Sequence, residues 1–208
     1  MAKPKMRAEH LCPALRIAID FDGTIADTND VKTEWIKRTL GVEVPAWKCD
    51  RSRCVPIIGL ERYEEMAEVA YGDEGTRTAK PVEGAVEAIK SLASQATLYV
   101  VTSRGASHLP AARDWLTSHG VIDLIRAVLS SAGRTKGEVC LEHGIGVLLD
   151  DDLRHVGPVE KGSPRAVLFA RGPQDSTALD AIHVGSWPEF VRWVERLAHG
   201  MPAEIGFR

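Results

Sequence analysis

The chain has 208 residues, 44% of them hydrophobic and 26% charged, with a formal net charge of -3. That length suits one domain, or one domain carrying an insertion, with a core large enough to fold without disulfides or a structural metal. The near-balanced charge argues against a nucleic-acid polymer as partner, and no apolar stretch reaches the roughly 20 residues of a membrane helix.

From the N-terminus, Lys3, Lys5 and Arg7 are followed by no apolar run of the signal-peptide kind, so a cytoplasmic protein is expected. Cys12, Cys49, Cys54 and Cys140 are too few and too scattered for a disulfide framework. Short apolar runs predict strands over Arg16 to Phe21, Thr97 to Val101, Arg126 to Leu129, Ile145 to Leu149 and Arg165 to Phe169. Helical periodicity predicts Pro81 to Gln95, opened by its proline, and Leu109 to His119, closed by Gly120. A last helix starts at Ser186, where Glu189 three residues on suggests a capping box. Strand–helix alternation of this kind predicts an α/β fold, a three-layer Rossmann-like parallel sheet with right-handed crossovers.

One stretch breaks the rhythm. Residues 28–80 contain no convincing strand and read as two helices, Asp30 to Leu40 and Leu60 to Tyr71. A loop rich in Pro, Cys and Arg, Val44 to Pro56, joins them. An insertion directly after the first strand lies over the carboxyl ends of the strands, where open parallel sheets bind ligands. It is expected to be a small helical cap, with 1–27 and 81–208 forming the core.

Four motifs carry chemistry. Asp20-Phe21-Asp22-Gly23-Thr24-Ile25-Ala26-Asp27 places two carboxylates two residues apart at the end of a buried strand, pointing the same way at strand spacing, before a tight turn at Gly23. Two like charges so close need a cation or a shared proton. The run Leu98 to Gly105 ends a strand at Thr102, whose hydroxyl can donate a hydrogen bond, with Ser103 and Arg104 following it. Gly133-Arg134-Thr135-Lys136 after the third strand offers two cations, Arg134 and Lys136, just before a helix. Gly146 to Leu149 runs into three acids, Asp150, Asp151 and Asp152, a pattern suited to Mg²⁺.

In this order the four motifs resemble those of the haloacid dehalogenase-like hydrolases, in the form used by their phosphatases. The resemblance implies that Asp20 is the nucleophile forming an aspartyl-phosphate and Asp22 the general acid/base, its backbone carbonyl also binding metal. It further implies Thr102 and Lys136 around the phosphoryl group. Mg²⁺ is expected at Asp20, Asp22, Asp150 and Asp151, with Asp152 leaving the register open by one residue. The second Asp of the first motif, which the family's haloalkanoic-acid dehalogenases lack, favours phosphoryl chemistry. Gly23, Ser103 and Arg104, with Trp47 and Arg51 from the insertion, are the candidate substrate-binding residues. The substrate class is a small phosphorylated metabolite, a nucleoside monophosphate or a sugar phosphate. A phosphonatase would need a lysine from the insertion, and Lys32, Lys37, Lys48 and Lys80 are available. The motifs also accommodate a phosphomutase, and the fold a non-catalytic binding module. Cys49 and Cys54 have no second ligand pair for zinc, most of the insertion's aromatics are expected to fill its core, and His108, His143 and His155 are expected to be structural or exposed.

Overall fold

The computed structural model describes residues 15–155, 163–172 and 182–199. Six strands form one parallel sheet: β1 (Leu15–Ile19), β2 (Ala96–Thr102), β3 (Ile125–Ser130), β4 (Val147–Asp150), β5 (Arg165–Phe169) and β6 (Ile182–Val184). Their spatial order is β3-β2-β1-β4-β5-β6. Five lie where the apolar runs place them. The sixth spans three residues, too few to show a period.

Between β1 and β2 come α1 (Thr28–Leu40), α2 (Arg51–Ile58), α3 (Leu60–Tyr71), α4 (Asp73–Thr78) and α5 (Ala85–Leu92). They are followed by α6 (Leu109–Ser118), α7 (Lys136–Glu142) and α8 (Trp187–Ala198). No helix among the described residues is long and apolar enough to cross a membrane.

The strands are apolar throughout because both faces are covered. Ile17 and Ile19, Leu98 and Val100, and Val147 and Leu149 face α5, α6 and α8, where Trp115, Trp187, Phe190 and Trp193 build the larger core. Ala18, Tyr99, Val101 and Leu148, the alternate residues, pack with Val139 and Cys140 of α7. This period of two sets both layers at once. The helices of the insertion bury a separate cluster that includes Trp35, Ile36, Cys49, Cys54, Tyr63 and Met66.

Four sequence expectations need correction. The stretch Val44 to Pro56 is not all loop: the Asp50 carboxylate accepts from the Arg53 amide at 3.1 Å and starts α2. A further short helix, α4, follows Gly72. Pro81 does not open a helix. It bridges Ala26, with Asp27 N–H donating to Lys80 C=O (2.7 Å) and Val82 N–H to Ile25 C=O (2.8 Å). The two crossings into and out of the insertion are thus bonded to each other, and α5 begins after Gly84. At α8 Ser186 makes no side-chain cap, and Glu189 accepts instead from the Gly185 amide at 2.6 Å. The capping box is found at α7, between Thr135 and Glu138.

Candidate active site

The sheet order brings the motifs together. β1 lies between β2 and β4, so residues leaving the carboxyl ends of these strands are neighbours. Asp20 N–H donates to Leu149 C=O at 2.8 Å, which sets Asp20 beside Asp150. α7 begins at Lys136 and aims its ammonium between them, 2.5 Å from Asp20 Oδ1 and 2.6 Å from Asp150 Oδ2. All three side chains are buried. Burial alone would lower the Lys136 ammonium, but Asp150 and Asp20 hold it above its usual range. Burial pushes the Asp20 carboxyl up to about 7, against the pull of Lys136 and with help from Asp150 and Asp22.

The first motif departs from the expected geometry. β1 ends at Ile19, and the chain turns so tightly that the Ile25 and Ala26 amides both donate to Phe21 C=O. Asp20 and Asp22 line one cleft, but different cations hold them. Asp22 receives Arg104 Nε at 2.9 Å and Nη2 at 2.8 Å. Burial would raise this carboxyl, and the Arg104 charge and hydrogen bonds outweigh it and keep it low.

Arg104 is buried, and its remaining nitrogen donates to Thr76 Oγ1 (2.8 Å) and Tyr71 C=O (3.1 Å) of the insertion. It joins Asp22 to the insertion. Thr102, at the end of β2, accepts from the Arg104 amide at 3.2 Å, and its hydroxyl lies 3.5 Å from Asp22 Oδ2.

Ligand atoms of Asp20, Asp150 and Asp151 lie within 4.8 Å of one another. The Asp22 carboxylate, bound to Arg104, is outside this cluster. Burial, then Asp20 and Asp150, pushes the Asp151 carboxyl well above the usual range, and Asn29 Nδ2 orients it from 2.9 Å. Asp152 belongs elsewhere: Arg154 Nε donates to it at 2.9 Å and holds it low against burial. Gly23 has φ +83°, and a Cβ there would stand 2.1 Å from Asp151 Oδ2. Only glycine allows the turn to pass so close to that carboxylate.

Several residues fall differently from expectation. Arg134 pairs with Glu142 on the exposed surface at 2.8 Å, leaving Lys136 as the cation of the site. Trp47 does not line the cleft; its ring packs where a side chain at Gly172 would be. Arg51 does line it, with its guanidinium 5.6 Å over the Tyr63 ring. Tyr63 contributes to the insertion's core, yet it and Tyr71 also form the cleft wall. His155 is not merely structural: it lines the cleft 3.4 Å from Ser103 Oγ, and burial, then Lys136, lowers it to about 4.

Lys32 is the chief residue that sequence reasoning underweighted. It stands three residues after Asn29, on the same face of α1, and the insertion's place over the strand ends is the signal that could have found it. Its Nζ donates to Asn29 Oδ1 at 3.0 Å, extending a line from the insertion to Asp151.

No family model and no curated protein matches the chain. Solved structures do. A predicted phosphoglycolate phosphatase from Haemophilus somnus superposes with a TM-score of 0.60 at 14% identity, over 87% of this chain and 97% of that one. L-2-haloacid dehalogenase from Xanthobacter autotrophicus gives 0.55 at 15% identity, over 86% and 98%. The putative HAD-hydrolase YfnB from Bacillus subtilis, bound to magnesium, gives 0.54 at 14% identity, over 86% and 97%. At these identities the likeness establishes the fold.

Proposed function

We propose that the chain, on the haloacid dehalogenase-like fold it shares with these neighbours, is a Mg²⁺-dependent phosphatase. It hydrolyses a small phosphate monoester through an aspartyl-phosphate on Asp20. The observation that supports this is the convergence of Asp20, Asp150 and Asp151 within 4.8 Å beside the Lys136 ammonium, at the carboxyl ends of β1 and β4. The donor set fits Mg²⁺, a hard cation that takes carboxylate oxygens and keeps several waters. The raised Asp151 carboxyl adds to the fit, because a bound cation removes the cost of ionising it.

When bound, Mg²⁺ supplies charge to a phosphoryl oxygen and orients the group. The rest falls to the chain. Asp20 attacks phosphorus in line, forming an Asp20–phosphorus bond as the ester P–O bond breaks. Lys136 spreads its charge over Asp20 and the phosphoryl oxygens. Thr102 donates to Asp22 Oδ2 over a long 3.5 Å contact, and its proton can turn to the phosphoryl group when substrate is bound. Asp22 gives a proton to the leaving oxygen, then takes one from the water that attacks the acyl phosphate. Inorganic phosphate leaves and Asp20 is regenerated. Arg104 favours the ionised form of Asp22, which suits the base step; for the acid step Asp22 must first take up a proton from solvent.

The family's haloalkanoic-acid dehalogenases lack the second Asp that Asp22 supplies here, so Asp22 favours the phosphatase. The test sets the two side by side. Phosphate release from p-nitrophenyl phosphate and a panel of small phosphate esters is expected with Mg²⁺, and none with EDTA or in Asp20→Asn. Halide release from short 2-haloacids, with no phosphate release, would replace the phosphatase by a dehalogenase.

A further inference from the structure

We infer that the side of the cleft built by the insertion is an anion subsite centred on Lys32, so that the substrate's leaving group carries a second negative charge, a carboxylate or a second phosphate. This rests on the phosphatase reading and names its substrate class.

Lys32 is 3% exposed and lines the cleft. Its Nζ has neutral partners only: Asn29 Oδ1 at 3.0 Å, Cys49 C=O at 3.4 Å, and the Tyr71 ring, whose centroid is 5.1 Å away. Among the described residues no carboxylate oxygen comes within the 4.0 Å of an ion pair, whereas the other two buried cations of the cleft are matched. Lys136 meets Asp20 and Asp150, and Arg104 meets Asp22. A buried ammonium without a counter-ion is unfavourable. Burial pushes its ammonium down, and Tyr71 and Tyr63, then Asp22 and Asp151 at longer range, hold it charged.

Position decides which part of the substrate Lys32 meets. Asp20, Thr102, Lys136 and Asp150 come from the sheet and surround the phosphoryl group. In-line attack by Asp20 puts the leaving oxygen on the far side of phosphorus, toward the insertion. Lys32 comes from α1 of the insertion. Beside it Tyr63 and Tyr71 line the cleft, and Arg51, which pairs with exposed Glu64 at 3.3 Å, lies over the Tyr63 ring. That wall offers an ammonium, phenols and a guanidinium, which suit a carboxylate or phosphate. A neutral nucleoside would leave the ammonium unmatched.

The probes are short alkyl phosphates of equal length ending in a carboxylate, a phosphate or a hydroxyl. In the wild type, kcat/KM for one of the charged esters should exceed that of the hydroxyl ester by about tenfold or more, and the better of the two identifies the anion. In Lys32→Met this ratio should collapse toward one. A direct binding measurement accompanies it: the matching alkyl carboxylate or alkyl phosphate should raise the Tm of the wild type and not of Lys32→Met. Equal kcat/KM for all three esters in the wild type overturns the subsite, even if the variant does not fold. So does an unchanged ratio in a folded Lys32→Met, which would leave Lys32 acting on the phosphoryl group. If no ester is hydrolysed, the phosphatase reading fails, and the Tm shift alone decides whether the anion site exists.

Discussion

Arg104 grips Asp22 with two hydrogen bonds of 2.8 and 2.9 Å while its third nitrogen reaches Thr76 and Tyr71 across the cleft. The proposed proton-transfer residue and the insertion are therefore tied to one guanidinium. A shift of α4 or of the end of α3 changes the hold on Asp22.

Removing it should show in stability with a defined pH sign. The Asp22 carboxyl lies below 3.8 in the folded chain, so the pair's contribution is present above that value and is lost as pH falls through the folded one. Arg104→Met should cost about 3 kcal/mol near neutral pH, since it leaves a buried carboxylate unpaired. The gap between wild type and variant should narrow below about pH 4. Denaturant titrations at several pH values measure this. A gap that widens in acid would contradict the pairing.

The carboxylate cluster carries the opposite sign. Asp20 is raised from 3.8 to about 7, and Asp150 and Asp151 are raised too. The Asp20 contribution to stability is full below 3.8 and is lost as pH rises through about 7, and those of Asp150 and Asp151 are lost in the same direction. A cation must displace the bound protons. The rise in Tm produced by Mg²⁺ should therefore grow from acid to neutral pH, and EDTA should abolish it. An equal rise at both ends would remove the proton–metal competition.

Within that cluster, Asp151→Asn should weaken Mg²⁺ binding more than Asp152→Asn does. Asp151 belongs to the set of three carboxylates, and Asp152 is bound to Arg154. Calorimetric titration of the two variants gives the order directly. The reverse order would shift the ligand pair by one residue.

Asp20→Asn should keep the fold and lower turnover by about 10⁶-fold, as loss of a nucleophile does. The side chain is nearly isosteric and still accepts from Lys136. Residual activity within tenfold of wild type would take the nucleophile's role from Asp20.

Gly23→Ala tests the turn. Its Cβ would fall 2.1 Å from Asp151 Oδ2 and 2.4 Å from Asn29 Nδ2, at a φ of +83°. Backbone strain alone costs about 1–2 kcal/mol, and the carboxylate has to move. Mg²⁺ affinity should drop along with Tm. A variant that lost stability but bound Mg²⁺ as tightly would show that Asp151 can be displaced without harm.

How much of this could be read from sequence follows from how local each feature is. β1, β2, β4 and β5 are short apolar runs between turns, and burial on both faces writes that pattern directly into the residues. Asp20, Thr102, Lys136 and Asp150 could be found because each sits at a strand end or a helix start, where local spacing marks it. The sheet order β3-β2-β1-β4-β5-β6 then makes neighbours of residues up to 130 positions apart in the chain. The partners of these residues were decided by tertiary structure alone. Nothing near Asp22 announces that Arg104, 82 residues on, takes its carboxylate, or that Lys136 bridges Asp20 and Asp150. Trp47 and Lys32 are both plain helix or loop residues of the insertion, and only its packing turns Trp47 onto Gly172 and Lys32 into the cleft. Local sequence sets which backbone forms, because propensity and periodicity act over a few residues. Which charge meets which is set by the sheet order and the docking of the insertion, because Coulombic and hydrogen-bond partners are chosen by distance in space.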